Sequence, residues 1–110
     1  MMRPPLSPAA TGLLRGLVAR AAVPRERILL GHFRSIDWQS LTFVGERHEI
    51  FLTIVPPQAI EASRRLADGI GEAEWHIAGQ TVADIALAAP PRTHPDGSVT
   101  MSLEALTIAE

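Results

Sequence analysis

Residues 48–69 read HEIFLTIVPPQAIEASRRLADG, and the fold turns on that stretch. Its opening residues crowd Ile50, Phe51, Leu52, Ile54 and Val55 together. β-Branched and aromatic side chains at that density fit a central strand covered on at least one face. Alternation sends Ile50, Leu52 and Ile54 one way and Glu49, Phe51, Thr53 and Val55 the other. Pro56 has no N–H to give the ladder, so pairing ends there, and Pro57 has the φ of a first helical turn. Ala59, Ala62, Ser63, Leu66 and Ile70 then recur at helical spacing. Glu61, Arg64, Arg65 and Asp68 fall on the far side, with Glu61 and Arg65 spaced as an i,i+4 pair. Gly69 suits the C′ position that stops a helix.

Upstream, Ser7 is a natural N-cap and Pro8 a natural N1 residue. Ala10, Leu13, Leu14, Leu17, Val18 and Ala21 make a helical stripe that Pro24 ends. Gly12 and Gly16 each cost that helix roughly 1 kcal/mol relative to alanine, which points to close packing on a neighbour. Residues 1–6 (MMRPPL) read as a disordered tail and 7–110 as a single domain. The first 25 residues carry arginines and no acid, a loose likeness to a transit peptide; an ordinary amphipathic helix is the preferred reading. Arg25–Arg34 reads as a connector with a short strand or helical turn. Ser35–Val44 is predicted as a strand, turning at Gly45-Glu46 into the central one. The register stays open: a two-residue loop puts Leu41 opposite Ile50 and Phe43 opposite His48, and a three-residue loop puts Val44 opposite His48.

Downstream, Glu74–Ala89 reads as a long strand bent at Gly79, or as a hairpin turning at Gly79-Gln80. Trp75, Ile77, Thr81, Ala83, Ile85 and Leu87 share one parity; His76, Gln80, Val82, Asp84 and Ala86 share the other. Pro90–Gly97 is rich in turn signals. Ser98–Ile108 is the last strand, with a bulge expected near Ala105-Leu106 where alternation slips.

The element order α-β-β-α-β-β predicts an α+β two-layer sandwich. Its four-stranded antiparallel sheet would have strand order 1-2-4-3, with both helices on one face. That topology resembles a ferredoxin-like plait with its first strand moved to the C-terminus. The helix-free face would then carry Glu49, Phe51, Thr53, His76, Gln80, Val82, Asp84, Thr100, Ser102 and Glu104.

The chain has 110 residues, net charge −2 and no cysteine. One core is the expectation, with disulfides and thiolate chemistry excluded and no electrostatic footprint for nucleic acid. All ten basic residues are arginines, a usage that GC-rich coding explains. The 46% hydrophobic content is high for so small a domain, so a homo-oligomer is expected. No apolar run approaches the roughly 20 residues of a membrane span, and a cytoplasmic protein without a membrane partner is the default. His32, His48, His76 and His94 lack metal-ligand spacing, and HExxH, GxSxG, GxGxxG and the P-loop are missing, so neither a metal nor a cofactor is expected.

Asp84 lies in the apolar run VADIAL, where aspartate is disfavoured. In a pocket it would be a carboxylate with a raised pKa; in water or bonded to Arg34 or Arg47 it would be structural. His76, Asp84, Glu104 and Glu49 form the candidate acid–base set of an open-face pocket for a small-molecule ligand. Phe51 and Val82 are the candidate interface residues. The leading expectation is a non-catalytic module that homo-oligomerises or binds protein through its open face or an edge strand. A small-molecule site ranks second, and RNA binding on an acidic face with one phenylalanine ranks last.

Overall fold

The computed structural model describes residues 6–110. The tail expected over 1–6 lies outside them, Leu6 excepted. In order the elements are α1 (Pro8–Ala21), β1 (Ile28–Gln39), β2 (Val44–Ile54), α2 (Ala59–Ala67), β3 (Gln80–Leu87), β4 (Arg92–Thr93) and β5 (Val99–Ala109). Short 3₁₀ turns lie at Arg25–Arg27 and Ile70–Glu72. The protein is α+β, with two helices on an open, wholly antiparallel sheet of order β1-β2-β5-β3. The long strands thus stand in the expected order, but the sheet has five strands, not four. The fifth, β4, pairs with β5 through Arg92 opposite Thr100 and Thr93 opposite Val99. It is two residues long and sits inside the proline-rich loop, too short for any periodicity to reveal.

Alternation does the sorting in β2 and β5. His48, Ile50, Leu52 and Ile54 are buried on β2, and Val99, Met101, Leu103, Ala105 and Thr107 on β5. Leu13, Leu17 and Ala21 of α1 and Ala59, Ala62 and Leu66 of α2 join the same cluster, so both helices meet one sheet face. Each fully buried leucine or isoleucine there contributes about 1.5–3 kcal/mol. Ser7 caps α1 as its sequence predicts, accepting from the Ala10 amide at 3.1 Å and donating to Glu46 Oε1 at 2.8 Å. The helices are tied by arginines. Arg20 donates to the Leu66 and Asp68 carbonyls, and Arg65 donates to the Ala21 carbonyl at 3.0 Å. Arg65, spaced to pair with Glu61, instead satisfies an orphan acceptor at the negative end of α1.

Four local expectations are corrected. The β1–β2 turn is at Ser40–Phe43 and not at Gly45-Glu46, so Phe33 faces Ile50 and Ser35 faces His48. Gly45 belongs to β2 because it must pass close to β5: an added Cβ would lie 2.0 Å from the Thr107 carbonyl oxygen. Arg25–Arg34 is mostly the first half of β1, its alternation broken by a bulge between Leu30 and His32. Strand β3 starts only at Gln80, after a turn in which Gln80 donates to the Ile77 carbonyl at 3.1 Å and Gly79 has φ +72°. Finally, the bulge expected in β5 lies across from it in β3, between Val82 and Asp84. β5 alternates from Val99 to Ile108, and only Ala109 at its end departs from the pattern.

Trp75 and Ile77, read as strand residues, instead lie on α1. A Cβ at Gly16 would sit 2.4 Å from Trp75 Cζ3, and one at Gly12 2.6 Å from Ile77 Cγ2. The two glycines therefore admit these side chains. Gly16→Ala is expected to lower stability by about 1–2 kcal/mol, although helix propensity alone favours alanine by about 1. In a Trp75→Ala background the same substitution should become stabilising, a sign reversal that a double-mutant cycle by urea denaturation reads directly. Additive effects would dismiss this account of Gly16.

Candidate interaction surface

Residues opposite one another in an antiparallel ladder point to the same side of the sheet. The register therefore lays out the helix-free face as a grid. Across the strands its rows are Leu29–Thr53–Thr100–Arg92, His32–Phe51–Ser102, Arg34–Glu49–Glu104–Ala86, Ile36–Arg47–Leu106–Asp84 and Trp38–Gly45–Ile108–Thr81. Leu29, Ile36 and Phe51 are 53%, 41% and 41% exposed. Trp38, Leu106 and Ile108 are half-buried. The face is thus more apolar than the sequence suggests, with charges of both signs set into it.

The candidate residues separate. Glu49 and Glu104 are direct cross-strand neighbours and both exposed; Asp84 is one row away, also exposed. Like charges placed opposite repel, and Arg34 opposite Glu49 offsets this. His32 Nε2 lies 3.9 Å from Glu49 Oε2, an exposed pair worth little. His76 is not on this face. It lies in the segment that runs along α1 and lines a cavity of about 390 Å³ with Thr11, Gly12 and Arg15. A second cavity of about 340 Å³, lined by Leu14, Val18 and Arg25 among others, is also on α1. Neither takes in Glu49, Asp84 or Glu104. Val82 is likewise displaced: the bulge puts it opposite buried Thr107, where it packs on the core. Gln80 moves to that side with it, opposite Ala109. Of the candidate interface pair only Phe51 remains on the open face.

Periodicity missed the apolar part of the surface. Leu29 and Ile36 share this face only because the bulge at Gly31 re-phases β1. Beyond them the β1–β2 tip carries Leu41 fully exposed, with Phe43 51% and Val44 60% exposed. Residues 38–45 (WQSLTFVG) contain no charge, a signal visible in the sequence.

On the covered face the notable group is His48, 1% exposed. Its Nδ1 lies 2.8 Å from Ser35 Oγ and its Nε2 2.8 Å from Thr107 Oγ1, linking β1, β2 and β5. Phe33 meets the ring edge-on at 5.9 Å. Burial pushes the His48 pKa below its ordinary value, against the opposing pull of the Glu46 carboxylate. A neutral imidazole this deeply buried, with a hydroxyl partner at each ring nitrogen, is a satisfied structural group.

Among the described residues no group of three or more His, Cys, Asp or Glu is placed to hold a metal ion. None of their helices is long and apolar enough to cross a membrane. Set against known proteins, the chain matches no family model, no curated protein and no solved structure.

Proposed function

We propose that this chain is a non-catalytic module that associates with a second copy of itself through its helix-free sheet face. One observation supports the reading above all: Leu29, Ile36 and Phe51 stand exposed on a face that no element among the described residues covers. Four strands about 4.8 Å apart, taken over about eight residues of 3.3 Å rise, present roughly 500 Å² in projection. That is the whole face, polar residues included, and it approaches the roughly 800 Å² per partner of a standard interface. Both halves of the face carry charges of both signs, Arg34, Arg47 and Glu49 on β1–β2 and Arg92, Glu104 and Asp84 on the remaining strands. A two-fold axis along the strands lays one half over the other, as an isologous interface requires, and the exposed apolar residues supply its driving force. The underlying architecture is taken to be a two-layer sandwich, like a permuted ferredoxin-like plait, from the element order and the single covered face. An acid–base pocket is less well supported, because His76 stands apart from the three carboxylates.

Light scattering across the micromolar range tests this reading. The wild-type chain should be a concentration-dependent dimer or larger. Phe51→Lys should dissociate the face contact with little change in monomer stability, since Glu49 and Glu104 neighbour the new ammonium. A monomer at every concentration, or a Phe51→Lys variant that associates as well as the wild type, would remove the proposal.

A further inference from the structure

We infer a second self-contact, independent of the face: β1 pairs edge to edge and antiparallel with β1 of another copy, about a two-fold axis at Ile36. Among the described residues β1 pairs in the sheet only with β2, and its outer edge is bare from His32 to Gln39, beyond the bulge; at the start of the strand the Ile28 carbonyl accepts from Arg25 Nη1 at 2.7 Å. The other end of the sheet is managed differently. β3 is bulged between Val82 and Asp84, and the Ile70–Glu72 turn lies beside it, with an added methyl at Gly71 only 3.9 Å from the Ile85 carbonyl oxygen. Bulges and covering loops are how sheets protect an edge; β1 from His32 to Gln39 has neither, and no proline.

The backbone phase follows from one bond. Ser40 donates to the Phe43 carbonyl at 2.8 Å, which makes Gln39 and Val44 a non-hydrogen-bonded pair. Alternation then turns the N–H and C=O groups of Phe33, Ser35, Asp37 and Gln39 outward, away from β2. Side chains must keep to their own face across a new pair, so a two-fold can sit only at a residue of this strand, not between two. Placed at Ile36, it sets Ser35 against Asp37 and Phe33 against Gln39 of the second copy as doubly bonded pairs. On the open face it sets Ile36 on Ile36 and Arg34 against Trp38, a cation over an aromatic ring. The chain turns back at Ser40–Phe43, so the same axis brings each uncharged hairpin tip beside His32 of the second copy. The edge is complementary to itself, with exposed Ile36 on Ile36 and Arg34 on Trp38 while the bare backbone groups stay in phase, which favours a second copy over an unrelated strand as the occupant.

The chain has no cysteine, so one introduced thiol reports the contact cleanly. A non-hydrogen-bonded pair places Cα atoms about 4.5 Å apart, within disulfide range. Ile36→Cys should therefore form a covalent dimer rapidly under mild oxidation at micromolar protein. Arg34→Cys, whose copy would be ~14 Å away along the strands, should not. Asp37→Pro removes an outward N–H without touching the β1–β2 ladder and should abolish the Ile36→Cys cross-link in the double variant. Phe51→Lys should leave that cross-link in place. Absence of the Ile36→Cys dimer, equal cross-linking through Arg34→Cys, or indifference to Asp37→Pro would each overturn the edge contact. None of these outcomes bears on the face contact, which light scattering of Phe51→Lys decides by itself.

Discussion

Replacing Gly45 with alanine should lower stability by more than about 3 kcal/mol, a drop in melting temperature above about 10 °C for a domain of this size. The added Cβ would lie 2.0 Å from the Thr107 carbonyl oxygen, 3.0 Å from its carbon and 3.1 Å from Ile108 Cα. All three are backbone atoms of β5. A side chain can rotate away from an intruding methyl; a ladder strand cannot, because β5 is held on its other side by β3. Relief therefore means spreading β2 from β5 at the centre of the sheet. The lost hydrogen bonds and loosened packing add to the clash. Gly71→Ala provides the comparison: its nearest neighbour is the Ile85 carbonyl oxygen at 3.9 Å and its φ is unexceptional, so it should be neutral or slightly stabilising. Urea or thermal unfolding of the two variants side by side settles the matter. If Gly45→Ala melts within a degree or two of wild type, Gly45 is not needed for close approach of the strands.

Gly45 also marks where sequence reading failed. A glycine followed by a glutamate between two apolar runs is a turn signal, and close approach of a strand from the far end of the chain is not written locally. The real turn, Ser40–Phe43, has no glycine and is closed by the Ser40 hydroxyl accepting from the Phe43 amide. The face assignment of β3 failed for a related reason. A bulge re-phases everything before it, so simple alternation gives the true side for Asp84 and the wrong one for Val82 and Gln80. Where alternation runs unbroken, as in Ile50-Leu52-Ile54 and Val99-Met101-Leu103, burial followed the pattern closely. The strand order was legible because two hairpins joined by a helix have few ways to share one covered face. The apolar character of the open face was not, since Leu106 and Ile108 look like interruptions of β5 until the opposite face is known to need them.

Replacing His48 should be nearly as damaging, and its cost should depend on pH. His48→Ala removes a ring that is 1% exposed and strands the Ser35 and Thr107 hydroxyls, each 2.8 Å from a ring nitrogen. Cavity and orphaned polar groups together cost about 2–4 kcal/mol near neutral pH. The sign of the pH effect follows from burial, which depresses the folded-state pKa below the ordinary 6.5 while Glu46 pulls weakly the other way. Between the two values the unfolded chain binds the proton and the folded chain does not. The stability tied to neutral His48 is therefore complete above about pH 6.5 and lost as pH falls below it, by up to about 1.4 kcal/mol per unit. Asp96 contributes in a lower window. The Ser98 hydroxyl, and then its amide, hold the Asp96 carboxyl below its usual value, so its share is present above about pH 3.8 and lost only below. Denaturation of wild type and His48→Leu at matched pH separates the two effects. The wild type should lose stability from pH 7 to pH 5 and the variant should not. Parallel profiles over that interval would mean that His48 takes up its proton equally in the folded and unfolded chains, and a wild type that gains stability on the variant as pH falls would mean that the Ser35–His48–Thr107 row is held together by a charge.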